Sequence, residues 1–195
     1  MAHLGAPLKL AHVVICRESD RGIGLEGHLL FHAPLDMKRF KTLTWGQAVI
    51  MGRATFKSLN YKPLKNRVNI VVTSSPLPDK TVIACPTLQS AVGHASTYAK
   101  VDTIFIIGGQ RLYEESLPCI DEVYMTVVRV KESEEKNSVT SLADRFYPVL
   151  NSPYFRLSET TDWIPEPEVV TGSVSLEYKF QKWIRDKRFI CPALK

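Results

Sequence analysis

The stretch "TIFIIGGQRLYEESLP", Thr103 to Pro118, decides the fold. It opens with an almost wholly apolar run, reaches the pair Gly108-Gly109, and continues as a helix-like segment that stops before Pro118. An apolar run of this kind reads as a strand covered on both faces, the situation of a parallel sheet. Two glycines at the strand-to-helix turn let the backbone approach a ligand without interference from a Cβ. The helix that follows offers unpaired N–H groups and a partial positive charge to a phosphate. A second segment repeats the design. In "VIMGRATFKS", a strand ends at Gly52 and a short helix begins with Arg53, Thr55 and Ser58. Two anion-ready helix starts in one sheet suit a dinucleotide better than a single phosphate. Neither of these two glycine turns carries a G-x-G-x-x-G or a Walker lysine, so neither the Rossmann fingerprint nor the P-loop applies to them.

Strand-like runs continue on both sides: 8–16, 47–51, 67–73, 81–85, 103–108, 122–130, 155–163 and 174–183. Helix-like windows cover 34–44, 53–59, 87–99 and 109–116. Strand and helix alternate up to about residue 120, which predicts an α/β fold with βαβ units and a mostly parallel sheet. The last two strands, joined by the turn-rich "IPEPEVVTGS", predict an antiparallel finish at the C-terminal edge. The expectation is a single-domain, mostly parallel eight-stranded sheet with helices on both faces. Residues 1–184 would form the domain and 185–195 a basic C-terminal tail. The polar window "KESEEKNSVTS" at 131–141 reads as a surface loop.

At 195 residues, 45% apolar and 23% charged, the chain has the composition of a soluble globular protein. No apolar run reaches the roughly 20 residues needed to span a bilayer, and the N-terminal stretch reads as a first strand rather than a signal peptide. The expectation is a cytoplasmic protein with no membrane partner. The net charge of +5 is concentrated near the end, where Lys182, Arg185, Lys187, Arg188 and Lys195 face one acid, Asp186. Such a tail is more often solvated than bound to nucleic acid, so a nucleic-acid partner is disfavoured. Cys16, Cys85, Cys119 and Cys191 are far apart and have no histidine at ligand spacing. They read as small buried thiols, with neither a metal site nor a disulfide framework.

One further stretch raises a chemical question. "IGLEGHLLFHAPLDMKRF", Ile23 to Phe40, places Asp36 two residues after Pro34 and among Leu35, Met37 and Phe40. Pro34 suits a first helical turn, and an acid there is favoured by the helix dipole. An acid on an apolar helix face next to an apolar loop also fits a buried functional carboxylate.

The ordered motifs "DRGIGLEGHLL", "APLDMKRFK", "VIMGRATFKSL", "PLKNRVNIVVTSS", "IFIIGGQRLYEESLP", "VYMT" and "LEYKFQK" resemble the dihydrofolate reductase family, from about Val13 to Lys182. The resemblance implies reduction of dihydrofolate to tetrahydrofolate by hydride transfer from NADPH. It makes Asp36 the carboxylate that grips the pterin and promotes its protonation, through a water. A carboxylate can accept two adjacent N–H groups in a bidentate, charge-assisted pair. Thr126 would hydrogen-bond that carboxylate. Met37, Phe40, Leu59 and Leu64 would wall the aminobenzoyl group, and Val14, Ile15 and Ile107 would floor the pterin and nicotinamide. Leu29 and Tyr113 would also touch substrate, and Arg67 would meet its glutamate carboxylate.

On the cofactor side the resemblance assigns Arg53, Thr55 and Ser58 to one phosphate site, with Arg53 and Ser74 at the adenosine 2′-phosphate. Gly108, Gly109, Gln110, Arg111 and Leu112 would lie under the pyrophosphate and nicotinamide ribose, with a cis peptide between the two glycines. Ile15, Ile23, Gly24, Gly27, Gly52, Ala54, Thr73, Ser75, Ile107 and Tyr113 complete the expected cofactor contacts. Asp144 would brace a mobile loop at 24–31. The chain departs from the family at Leu30-Phe31, where Pro-Trp is usual. Phe31 can supply the apolar contact near the reacting ring but has no N–H donor. Ile15 stands where Ala is frequent and would narrow the floor. The implied partners are dihydrofolate and antifolate-like small molecules, and a monomer is expected. Competing readings are a reductase of the same fold acting on another pterin- or pyrimidine-like ring, as in riboflavin synthesis, and a non-catalytic pterin, cofactor or RNA binder.

Overall fold

The computed structural model describes residues 8–31, 33–130, 142–151, 153–165 and 176–188. The surface-loop expectation at 131–141 and most of the tail lie outside these residues. The chain divides into two compact units, one formed by Met1–His12, Thr44–Glu122 and Cys191–Lys195, the other by Val13–Leu43 and Val123–Ile190. Strands β1 (Lys9–Arg17) and β8 (Glu122–Val130) contribute residues to both.

The first unit is the parallel part. Its strands are the start of β1, β4 (Ala48–Gly52), β5 (Val68–Val72), β6 (Ile83–Cys85) and β7 (Thr103–Ile106). β7 pairs in parallel with β1 and with β4, β4 with β5, and β5 with β6. Ala48, Val49, Ile50, Met51, Ile104 and Ile106 are completely buried, as strands covered on both faces must be. The register sets Ile50 beside Ile106 and Gly52 beside Val72, so the glycines that follow β4 and β7 come together at the carboxyl ends of these strands. In open α/β sheets this end is where ligands bind. Helices α2 (Arg53–Ser58) and α4 (Gln110–Ser116) start directly from those glycines. Helix α3 (Leu88–Ala95) is held by a reciprocal capping box between Thr87 and Ser90, and is shorter than the 87–99 window.

The second unit carries the antiparallel edge. β10 (Phe155–Thr160) and β11 (Ile164–Pro165) both pair antiparallel with β12 (Leu176–Arg185). The strand order is β10-β12-β8-β1-β7-β4-β5-β6, with β11 beside β12 off this path. The eight expected strands therefore all form, and β11 adds a ninth. Helix α1 (Pro34–Thr44) has the expected bounds, and its first bond runs from Met37 N–H to Ala33 O at 2.9 Å.

A separate three-stranded sheet, β3-β2-β9, was not anticipated. It consists of β2 (Gly22–Leu25), β3 (His28–Leu29) and β9 (Arg145–Phe146). Leu25 pairs with His28, leaving Glu26 and Gly27 as a two-residue turn with φ of 51° and 85°. Two positive φ values at the centre of a hairpin are the type I′ arrangement, and Gly27 supplies one without strain. The segment expected as a mobile loop is thus partly a hairpin. Asp144 holds it as foreseen: its carboxylate accepts from Glu26 N–H at 3.2 Å and its own N–H donates to Gly24 O at 3.0 Å.

Cys16 and Cys85 are buried free thiols, but Cys119 is disulfide-bonded. This corrects the expectation of four separate thiols. Sequence spacing reports only local frameworks, whereas a bridge needs only Cα atoms within about 7 Å in the folded chain. Among the described residues no helix is long and apolar enough to cross a membrane.

Asn69 of β5 holds the loop before its own strand. Its amide donates to Leu64 O at 2.8 Å and Arg67 O at 3.0 Å, and its oxygen accepts from Leu64 N–H at 2.8 Å. The side chain is 7% exposed. Asn69→Ala removes all three bonds and should lower the unfolding free energy by about 2 kcal/mol, measured by urea denaturation. A loss below about 0.5 kcal/mol would show that the loop does not depend on them.

Candidate functional site

The first unit gathers the expected phosphate residues around two glycine turns. Gly52 N–H donates to Gly108 O at 2.8 Å, tying the end of β4 to the turn after β7. A Cβ on Gly52 would sit 3.8 Å from both Gly108 O and Gly109 N, and one on Gly109 would sit 3.5 Å from Thr55 Oγ1. The absent side chains therefore leave a shallow cradle of backbone between α2 and α4. Gly108 has φ 111°, a value that favours glycine, and the Gly108-Gly109 peptide is cis, as the resemblance implied. Neither Gly52 nor Gly109 has a side-chain cap, so no side chain occupies the first N–H groups of the two helices through a cap bond. Gln110, Arg111, Leu112 and Tyr113 form the first turn of α4, with Leu112 and Tyr113 buried.

Arg53 starts α2 and bends toward the segment after β5. Its Nη1 donates to Pro76 O at 2.9 Å and Ser75 O at 3.4 Å. These bonds bring the guanidinium to the stretch Thr73, Ser74, Ser75. Ser75 N–H is in turn held by Thr73 Oγ1 at 3.1 Å. Ala54 is exposed in the first turn of α2, and Ser58 Oγ donates to Thr55 O at 2.7 Å. A guanidinium, hydroxyls, uncapped helix starts and bare glycine backbone form a donor set suited to several phosphate oxygens.

The same unit holds the residues expected around the substrate's tail. Leu59 caps α2, and Leu64 is fixed by Asn69. Arg67 donates from Nε to Lys65 O at 3.0 Å and from Nη1 to Thr44 Oγ1 at 3.1 Å, with Cζ 6.0 Å from the Trp45 ring centroid. Partial burial lowers the Arg67 pKa, yet a guanidinium remains charged at any physiological pH. Ile107 is anchored by its N–H to Ile50 O at 2.9 Å.

The second unit holds the acid. Asp36 lies in the first turn of α1, partly buried, and withdrawal of its carboxyl from water raises its pKa. A hydrogen bond from Thr126 and the charge of Arg39 act in the opposite direction. Thr126 is 1% exposed on β8. Ile15 and Phe31 pack with Ala33, Val128 and Tyr178 in one buried cluster, flanked by Leu30, Leu35 and Leu176. Val14 is buried in β1, Ile23 is partly buried in β2, and Phe40 is partly buried on α1. Met37 and Leu29, expected to face substrate, are 55% and 61% exposed. Gly24 and Gly27 belong to the β2–β3 hairpin.

Three residues of evident importance were not singled out from sequence. Asn69 fixes the Leu64–Arg67 segment, Arg39 bears on Asp36, and Cys16 lies close enough for the Asp36 charge to raise its thiol pKa. Arg39 had a signal, its i, i+3 spacing from Asp36 on a predicted helix. Asn69, inside an apolar strand run, also stands out once strands are drawn.

The raised pKa of Asp36 has a stability consequence. The folded protein binds this proton more tightly than the unfolded chain, so the contribution is most favourable below the ordinary carboxylate value of about 3.9 and is lost as pH rises through the folded value. Asp36→Asn, neutral at every pH, should melt at higher temperature than the unsubstituted protein at pH 7. That gain should shrink on acidification. Thermal melts of the ligand-free proteins between pH 4 and 7 test this, and a gain that grows toward low pH would contradict the burial argument.

Comparison with known proteins places the chain in a family. The family described as dihydrofolate reductase matches residues 10–182. The chain is 37% identical over 115 residues to the dihydrofolate reductase of Bacillus subtilis (strain 168), covering 59% of this chain and 67% of that protein. It is 36% identical over 119 residues to the dihydrofolate reductase of Staphylococcus aureus (strain MSSA476), covering 61% and 71%. Among solved structures, the dihydrofolate reductase from Enterococcus faecalis complexed with NADP(H) and RAB-propyl superposes with a TM-score of 0.73 at 27% identity, covering 92% of this chain and 97% of that chain.

Proposed function

Because the chain belongs to the dihydrofolate reductase family, we propose that it reduces 7,8-dihydrofolate to 5,6,7,8-tetrahydrofolate with NADPH, and that Asp36 anchors the pterin and promotes its protonation. The observation that carries the reading is the Asp36 carboxyl itself, partly buried on α1 and hydrogen-bonded by Thr126.

The first unit's donor set fits NADPH. Gly52, Gly108 and Gly109 would lie against the pyrophosphate with Thr55, Gln110, Arg111 and Leu112 around it, and Arg53 with Ser74 would hold the 2′-phosphate. Ser58, Ala54, Thr73, Ser75, Ile107 and Tyr113 would complete this unit's contacts. The chemistry supplied by bound NADPH is donation of a hydride. All else in the reaction falls to the chain's own residues.

Asp36, when ionised, accepts two adjacent N–H groups from the pterin edge in a bidentate pair. Its negative charge, partly withdrawn from water, favours a proton on the ring beside the hydride-accepting carbon. A water carries that proton. Thr126 donates to the carboxylate and keeps it oriented. Val14, Ile15, Phe31, Leu29, Met37 and Phe40 supply apolar surface that excludes bulk water, which strengthens the charged hydrogen bonds. Phe31 adds no donor of its own. Arg67, with Leu59 and Leu64, would receive the aminobenzoyl-glutamate end, and a planar guanidinium suits its carboxylate. This feature favours folate over a heterocycle without an acidic tail. The catalytic domain is assigned to residues 1–184 and a basic tail to 185–195, and a cytoplasmic, monomeric enzyme that also binds antifolate-like molecules is part of the same proposal.

Two substitutions test the reading by loss of NADPH absorbance on adding dihydrofolate. Asp36→Asn should lower turnover at pH 7 by about 10²-fold or more, with NADPH affinity preserved and activity partly recovered in acid. Full activity at pH 7 would remove Asp36 from the mechanism. Arg53→Ala should weaken NADPH by roughly 10-fold to 100-fold, the worth of a charge-assisted phosphate contact, while NADH changes little. Equal losses for both cofactors would show that Arg53 does not read the 2′-phosphate.

A further inference from the structure

We propose that Arg39 is a positioning residue for Asp36: its guanidinium fixes the Thr126 hydroxyl as a donor to the Asp36 carboxylate. The inference rests on the proposed role of Asp36 and deepens it.

Arg39 lies three residues after Asp36 on α1, where side chains at i and i+3 are neighbours. It is partly buried and held from several sides. Nη1 donates to Met125 O at 3.1 Å and to Thr126 Oγ1 at 3.2 Å, and Nη2 donates to Gln181 O at 3.3 Å. Its Cζ lies 4.7 Å from the Phe180 ring centroid and 6.0 Å from that of Tyr124. Carbonyls and rings from β8 and β12 thus seat a rigid fork against one hydroxyl.

A guanidinium has donors and no acceptor. At the Arg39 contact, Thr126 Oγ1 must therefore accept. A hydroxyl has a single proton, and Thr126 is buried, so that proton is directed to its other partner, Asp36. The sense of the bond matters. A hydroxyl that donates stabilises a carboxylate, whereas one that accepts would stabilise the protonated acid. Arg39 occupies one of the hydroxyl's two lone pairs, which disfavours the second option, and adds a positive charge beside the first.

The groups facing this pair point the same way. Asp36 faces Arg39 on its own helix, Thr126 on β8, and Cys16 on β1, whose thiol is pushed up to about 12, chiefly by burial, and is neutral at physiological pH. Arg39 faces Asp36, Tyr124 of β8 and Glu159 of β10. Glu159 is itself 3.7 Å from Lys182 Nζ on β12 and is well exposed. Arg39 is thus the cation that acts on Asp36.

The test is a ¹³C NMR titration of the Asp36 carboxyl in the full, ligand-free chain, the signal being assigned by its loss in Asp36→Asn. In Arg39→Met the carboxyl should titrate about one unit or more higher, the size of an arginine's effect on a neighbouring acid. Arg39→Lys, which keeps the charge without the fork, should shift it less. The pH dependence of kcat/KM should move in the same direction in each variant. An unchanged Asp36 titration in folded Arg39→Met overturns the proposal. Should that variant fail to fold, Arg39→Gln, which keeps donors and loses the charge, decides it: a titration equal to that of the unsubstituted protein overturns it, and an upward shift supports it. Because the titration needs no turnover, the assignment to Arg39 can fail while the reductase reading stands. Full activity in Asp36→Asn would end that reading whatever the titration gave.

Discussion

Holding one carboxylate away from water is the constraint on which the second unit depends. Burial alone would drive Asp36 toward its neutral form, because an isolated charge in an apolar setting is costly and the group protonates instead. The neighbours of Asp36 counter this with a hydroxyl and a cation and add no competing negative charge. In the same unit Ile15, Phe31, Ala33, Val128 and Tyr178 form an apolar cluster, against which Leu35, the residue before Asp36, packs. The result is an acid whose pKa is raised by burial and opposed by Thr126 and Arg39, which suits the role proposed for it.

The first unit meets a different constraint, and it does so with backbone. Parallel strands with completely buried side chains end in glycines, and the Gly52 N–H to Gly108 O bond joins the two turns. The phosphate proposed to bind here would meet N–H groups and helix starts that no side chain caps. Arg53 adds the charge, with its direction set by the Ser75 and Pro76 carbonyls. The loop carrying Leu64 and Arg67 is organised by a single buried amide, Asn69, without any regular element of its own.

This difference explains what could be read before the fold was seen. Gly108-Gly109 and Gly52-Arg53 were legible because a backbone site demands glycine between an apolar strand and a helix, and both patterns are local. The bounds of α1 were legible because Pro34 marks its start. The β3-β2-β9 sheet was not legible: its strands have two to four residues, too few for an alternating pattern, and one pairing partner lies more than a hundred residues away. Arg39 was passed over because a basic residue on a helix reads as a solvated face. Only the fold puts Met125, Thr126 and Gln181 around it. Met37 was marked as apolar wall, and its 55% exposure could not be inferred from hydrophobicity.

Shape and charge around the acid are consequently set by separate residues. Ile15 and Phe31, where the chain departs from its family's usual choice, lie together in the apolar cluster and carry no formal charge. Changes there would alter the apolar volume offered to the proposed pterin without adding a formal charge, whereas Thr126 and Arg39 act on the ionisation of Asp36 directly. Those two residues lie on β8 and α1, elements fixed by strand pairing and by helix bonds, whereas Phe31 lies between a hairpin and a helix start. Substitution at positions 15 and 31 can therefore retune substrate fit within an unchanged electrostatic setting. Substitution at 39 or 126 changes the setting itself, because each removes one of the two forces that oppose burial at the only carboxylate the proposed chemistry uses.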